Sequence, residues 1–229
     1  MNSIYIFGAT SLARLAFEYL TSDMHLNVNG FVVSKNFRKS DKFCSLPVLT
    51  EDEFLSCNSP ETAKLFVAIG YKNMLTRNFV YKRYKSMGFS FLNVIASNTY
   101  IARHCAVGDN NFLMPGVVVE PGVTLGSNNV VWSNSTICHD TVVGNDNFFA
   151  SNNTIGGNVA IANGIFLGFS STILQRISVG SYAIIGANSL VKSDVESHHL
   201  YYGSPARKIK KLEEKDFYIL DSELKIICN

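Results

Sequence analysis

Written in rows of six from Ile95 onward, the chain opens every row with an apolar residue: Ile95, Ile101, Val107, Leu113, Val119, Leu125, Val131, Ile137, Val143, Phe149, Ile155, Ile161, Leu167, Ile173, Val179, Ile185 and Val191. The second place in a row is often glycine or alanine, and the fifth is mostly small or branched. An α-helix drifts out of phase with a six-residue period within a few rows, and a free strand repeats every two residues. The pattern that satisfies a period of six is a solenoid of short strands and sharp corners, with each first-place side chain stacked inward on its equivalent in the next coil. Gly, Asn and Ala are expected to supply the corners, where bulk clashes or positive φ is needed. Three rows per coil make a triangular prism of five to six coils. At about 4.8 Å per coil it stands roughly 25 to 30 Å tall. No row is interrupted, so no long loop is expected to project from it.

Before Ile95 the periodicity changes. "SIYIFG" (Ser3 to Gly8), "GFVVS" and "KLFVAIG" read as buried strands. Ser11 is placed to cap a helix with Leu12, Leu15, Ala16, Tyr19 and Leu20 on one stripe, and Asn73 to open a second helix carrying Val80, Tyr84 and Met87. "FSFLNVI" leads into the repeat. Strands alternating with helices predict a small parallel βαβ sheet, Rossmann-like, whose ligands sit at the strand carboxyl ends. Gly8 ends the first strand ahead of a helix N-terminus, a place suited either to a tight turn or to a phosphate. The full GxGxxG fingerprint is missing, which argues against a dinucleotide.

The repeat from Ile95 to Lys211 resembles the hexapeptide-repeat acyltransferases, and the βαβ head followed by an uninterrupted prism is similar to the bacterial sialic acid O-acetyltransferase and nucleotide-aminosugar N-acetyltransferase family. The resemblance implies a left-handed parallel β-helix, a homotrimer and acetyl-CoA bound between subunits. It divides the chain into a nucleotide-sugar-binding domain (1–94), an acyltransferase domain (95–211) and a C-terminal extension (212–229). In that family the segments matching "GATS" (Gly8, Ala9, Thr10, Ser11) and "AIGYKN" (with Gly70 and Tyr71) line the nucleotide pocket. Here Val33 and Ser34 replace an acidic pair at the end of the second strand, and Thr10, Ser11 and Leu12 replace a Ser-Gly-His turn. Ser34 is carried over to the pocket.

One stretch of the prism, "TICHDTVVG", places His139 and Asp140 third and fourth in their row, at a corner and facing outward. The pair matches the family's His-acid pair, which implies that His139 is the general base. Imidazole, with a pKa of about 6.5, is neutral at pH 7 and can take the proton of an attacking amine. Asp140 would orient the ring and stabilise its charged form. No acyl-enzyme is needed, so Cys138 is read as structural. Counting along the family pattern gives Gly157 the oxyanion position. The coils around Gly168, Ser170, Gly186 and Ala187 and the segment with Pro205, Ala206, Arg207 and Lys208 match the CoA channel, and Lys210 and Lys211 could also meet CoA phosphates. Trp132 and Phe148 occupy family positions near the amino sugar; Trp132 could stack on a sugar ring or fill a subunit contact.

Composition narrows the partners. A net charge of +2 and 17% charged residues give no field that favours nucleic acid or an anionic membrane. The five cysteines show no CxxC spacing, so neither a disulfide framework nor a zinc site is expected. No signal peptide or spanning apolar stretch is read, and the expected location is the cytoplasm. The leading reading is N-acetylation of a nucleotide-linked amino sugar, as in surface polysaccharide synthesis. Its rivals are sugar O-acetylation, a prism-shaped zinc carbonic anhydrase lacking its third histidine, and a non-catalytic scaffold.

Overall fold

The structure, a computed structural model, describes residues 2–70 and 74–213. The head contains β1 (Ser3–Phe7), α1 (Ser11–Glu18), β2 (Val28–Val33), β3 (Lys42–Phe43), β4 (Leu46–Thr50), α2 (Glu51–Cys57), β5 (Ala63–Val67), α3 (Met74–Ser86) and β6 (Ser90–Phe91). They form one sheet in the order β3-β4-β2-β1-β5-β6, parallel except for the β3–β4 hairpin. Where three strands were expected, the described residues form six. The order reverses at β1, which pairs with β2 on one side and β5 on the other, and this opens a crevice at their carboxyl ends.

Two helix starts differ from the sequence reading. Thr10 takes the N-cap position of α1, one residue before Ser11, and its side chain makes no capping bond. The second anticipated helix begins at Met74 in the described chain, and Asn73 lies outside the described residues. α2, which the pattern did not announce, starts with a reciprocal capping box: Thr50 Oγ1 accepts from the Glu53 N–H at 3.3 Å, and the Glu53 carboxylate accepts from the Thr50 N–H at 2.7 Å.

The prism follows the rows of six. Seventeen two-residue strands run from β7 (Val94–Ile95) and β8 (Tyr100–Ile101) through β23 (Leu190–Val191), each ending on a first-place residue. Pairing is parallel with an offset of eighteen residues, as in Leu113↔Val131 and Ile137↔Ile155, so three rows make one coil. Leu113, Val131, Phe149, Leu167 and Ile185 stack inside, all fully buried. Asparagines at the same spacing also stack: Asn111 Oδ1 accepts the Asn129 N–H and Asn129 Oδ1 the Asn147 N–H, both at 2.9 Å. β24 (His199–Tyr202) extends one face, and β25 (Arg207–Lys211) folds back antiparallel on it. Beyond Leu212 and Glu213, the C-terminal extension lies outside the described residues.

The corners fall at the fourth place of each row. From His104 to Asn188 every fourth-place residue has φ between +54° and +78°. Asn, Asp and Gly dominate there because they tolerate the left-handed region. Second-place glycines have another cause: an added Cβ at Gly126 would stand 2.6 Å from the Gly144 carbonyl oxygen of the next coil. They are small because coils stack closely, which corrects their reading as corners.

The corners line up as three borders: Gly116, Asn134, Asn152, Ser170 and Asn188 on the first; His104, Gly122, Asp140, Asn158 and Arg176 on the second; Asn110, Asn128, Asp146, Gly164 and Tyr182 on the third. The face between the third and first borders carries the head. Its outward residues Phe112, Val130, Phe148, Phe166 and Ile184 share one buried cluster with Ile6, Ala16, Leu20, Phe31 and Phe66 of the head. Phe66 meets Phe112 edge-on at 5.8 Å. Among the described residues no helix is long and apolar enough to cross a membrane.

Candidate active site

The second border carries the candidate catalytic pair. His139 and Asp140 are adjacent on a corner with 57% and 60% of their side chains exposed, and His139 Nδ1 lies 2.9 Å from Asp140 Oδ2. Asp140 sits at φ +58°, a conformation aspartate accepts readily, which aims its carboxylate back at the ring. This bond places the proton on Nδ1 and leaves Nε2 as the basic nitrogen.

Eighteen residues on, and so directly over the ring in the next coil, is Gly157. A Cβ added there would stand 2.6 Å from both Cε1 and Nε2 of His139. The imidazole therefore lies against a bare backbone, and only glycine leaves room for it. The Gly157 N–H finds no acceptor among the described residues, and the His139 carbonyl in the coil below is taken by the Asn158 N–H at 3.0 Å. The equivalent N–H one coil lower, that of His139, is taken by Glu120 Oε2 at 2.8 Å. Glu120 was not anticipated; its signal is that it stands eighteen residues before Cys138, in the coil beneath. Burial, and then the Glu120 carboxylate, push the Cys138 thiol pKa up, so it stays protonated at neutral pH. The border thus offers a base, an orienting carboxylate and, against the ring, an unengaged N–H.

In the head, Gly8, Ala9, Thr10, Ser34 and Gly70 gather at the carboxyl ends of β1, β2 and β5, around the crevice where the strand order reverses. Gly8 has φ +121°, and a Cβ on it would meet the Ala68 carbonyl oxygen at 2.9 Å. The tight-turn reading thus has direct geometric cause. A Cβ on Gly70, by contrast, would meet nothing within 4 Å. Ser34 Oγ donates to Glu51 Oε1 at 2.6 Å, and Glu51 also holds Arg83 at 2.6 Å. Tyr71 lies outside the described residues.

Gly168, Ser170, Gly186 and Ala187 fall on or beside the first border. The segment with Pro205 and Ala206 closes over its top: the Ala206 N–H reaches the Leu190 carbonyl at 2.8 Å and the Gly203 N–H reaches Ser189 Oγ at 3.1 Å. Arg207 and Lys211 are exposed on β25, whereas Lys208 is tied to Glu196 at 2.7 Å. Trp132 and Phe148 are placed on the head face. Phe148 is 3% exposed and stacks on Phe166 at 5.6 Å; Trp132 is half-buried at the rim, 6.3 Å from Phe148. Neither is brought to the border of His139.

The bacterial transferase hexapeptide model (six repeats) matches residues 104–139. Among solved structures, the acetyltransferase domain of PglB from Neisseria gonorrhoeae in complex with acetyl coenzyme A is similar at TM-score 0.82 and 21% identity, over 91% of this chain and 100% of that one. PerB from Caulobacter crescentus, in complex with CoA and GDP-perosamine, is similar at 0.76 and 21%, over 92% and 98%. WeeI from Acinetobacter baumannii is similar at 0.78 and 21%, over 91% and 100%. No curated protein sequence matches the chain significantly. The repeat and these likenesses define the class of the molecule: a hexapeptide-repeat, left-handed parallel β-helix behind a small α/β head, the fold of the PglB acetyltransferase domain.

Proposed function

We propose that the protein is an acetyl-CoA-dependent N-acetyltransferase acting on a nucleotide-linked amino sugar. The observation that carries this reading is the border itself: His139, oriented by Asp140, has its Nε2 side against Gly157, whose N–H is unengaged. Nε2 accepts the proton of the sugar amine as its nitrogen bonds to the thioester carbonyl carbon. Asp140 stabilises the imidazolium that results. The Gly157 N–H donates to the carbonyl oxygen as it becomes an oxyanion, and the proton on Nε2 passes to the departing thiolate. PerB and the PglB domain, which share the fold, were solved with CoA or acetyl coenzyme A, and PerB with a nucleotide amino sugar.

The same geometry supports a trimer. The catalytic pair lies on the second border and the proposed CoA residues Gly168, Ser170, Gly186 and Ala187 along the first, a face of six residues apart, up to about 20 Å of extended chain. A second copy that sets its first border against this copy's second joins the two halves of the site. That contact is heterologous, and three such contacts close a ring. Exposed Arg207 and Lys211 suit the CoA phosphates. A hundredfold excess of CoA over its Kd should stabilise the assembly by about 2.7 kcal/mol, a Tm rise of roughly 5–10 °C for a chain of this length. Thermal unfolding at fixed protein concentration checks this, and a fully active monomer would contradict the shared site.

The head is proposed to hold the nucleotide in its crevice. Gly8→Val is a poor probe, because φ +121° and the Ala68 carbonyl make it a folding lesion. Gly70→Val adds bulk into open space instead. It should raise KM for the nucleotide sugar about tenfold while leaving KM for acetyl-CoA unchanged, the pattern of a lost binding contact. An unchanged KM for the sugar nucleotide would make the head a structural cap.

A further inference from the structure

The third border of the prism is polar where the rest of the contact with the head is apolar. Asn110, Asn128 and Asp146 sit at successive corners, each between 0% and 7% exposed. They form a one-way chain. The N–H of Val67, the last residue of β5, donates to Asn110 Oδ1 at 2.7 Å; Asn110 Nδ2 donates to Asn128 Oδ1 at 2.6 Å; Asn128 Nδ2 donates to Asp146 Oδ1 at 2.7 Å. Asp146 Oδ2 accepts from Asn78 of α3. The chain leaves the head at β5, climbs three coils and returns to the head at α3.

Its direction is set by chemistry. A carboxylate only accepts, so Asp146 must end two donations, and each amide below it then has one usable orientation. Arg77, fully buried and next to Asn78 on α3, donates to the carbonyls of Asp146 and Asn147 at 2.9 and 3.1 Å and approaches the Ile69 carbonyl at 3.5 Å. Both ends of the segment that follows β5 are therefore pinned to prism corners. That segment contains Ala68 and Gly70, which border the crevice of the head.

We infer that the Asn110–Asn128–Asp146 ladder, with Arg77 and Asn78, is a positioning device that sets the carboxyl end of β5, and with it the acceptor pocket, at a fixed place on the prism. An apolar contact alone could slide; a directional chain of buried hydrogen bonds has one register. The functional part of this inference rests on the nucleotide-sugar reading of the head, while the mechanical part does not.

A charge swap tests it. Asn128→Asp is nearly isosteric and tolerates the left-handed corner, but it sets a carboxylate against the Asp146 carboxylate where an amide N–H had donated, so two acceptors face each other with no donor between them. The double variant Asn128→Asp with Asp146→Asn restores every pairing: the carboxylate introduced at position 128 would accept from Asn110 and from the new amide at position 146, which in turn would accept from Asn78. Two readouts are taken on the full chain: hydrogen exchange of the Val67 amide without ligands, and KM for the nucleotide sugar against KM for acetyl-CoA. The single variant should lose at least tenfold in Val67 protection and gain about tenfold in sugar-nucleotide KM, with the acetyl-CoA KM unchanged, the size expected for one unmade buried bond. The double variant should return both towards wild type. Unchanged exchange in the single variant, or a double variant no better than the single, overturns the ladder as a device. Rescued exchange with an unmoved sugar-nucleotide KM overturns its role in placing the acceptor. A wild-type protein inactive on every nucleotide amino sugar refutes the functional reading instead, and the exchange readout still decides the ladder.

Discussion

His139→Ala should lower turnover by about two to four orders of magnitude, the range for loss of a general base, while leaving assembly and Tm near wild type. The side chain is 57% exposed and its ring is held by the neighbouring Asp140. Its removal therefore opens no cavity and strands no buried group. The backbone N–H of residue 139 keeps its bond to Glu120, so the corner should hold its shape. Steady-state kinetics with both substrates saturating checks this. Activity within tenfold of wild type would remove His139 from the mechanism.

Gly157→Ala should be nearly as damaging, though it adds only one methyl group. The new Cβ would stand 2.6 Å from two ring atoms of His139, closer than carbon atoms approach. Because the imidazole is exposed, the ring can swing away; the fold survives and the base leaves its place. A displacement of about 1 Å at a reacting group costs on the order of a hundredfold, and the bulk beside the Gly157 N–H would add to this by crowding the oxyanion. The signature is a fall in kcat with a Tm close to wild type. A Tm loss without a kcat loss would mean that the ring rests on Gly157 without using it.

The prism was legible because one period encodes it: an inward aliphatic every sixth residue can be satisfied by few backbones, and every strand from β7 to β23 falls on its row. Placing His139 and Asp140 on a corner required only counting within a row. The head was read less completely. β3 has two residues and β4 carries Pro47, so neither shows an alternation, and α2 was missed although its Thr50–Glu53 capping-box spacing stands in the sequence. Glu120 and the Asn110–Asn128–Asp146 ladder were missed because rows of six hide them. Both emerge from rows of eighteen, which set each residue under its neighbour in the next coil. The burial of Phe148 depends on where the head docks, and no local pattern carries that.

The most direct test of the account is acetyl transfer itself. Purified wild-type protein is incubated with acetyl-CoA and, in turn, UDP-, dTDP- and GDP-linked amino sugars and their hydroxyl analogues, and the products are weighed by mass spectrometry. The account predicts one acetyl group added as an amide to at least one nucleotide amino sugar, with the free sugar a much poorer acceptor and His139→Ala inactive under the same conditions. Transfer to a hydroxyl with none to any amine, or the same transfer rate with His139→Ala as with wild type, would contradict it.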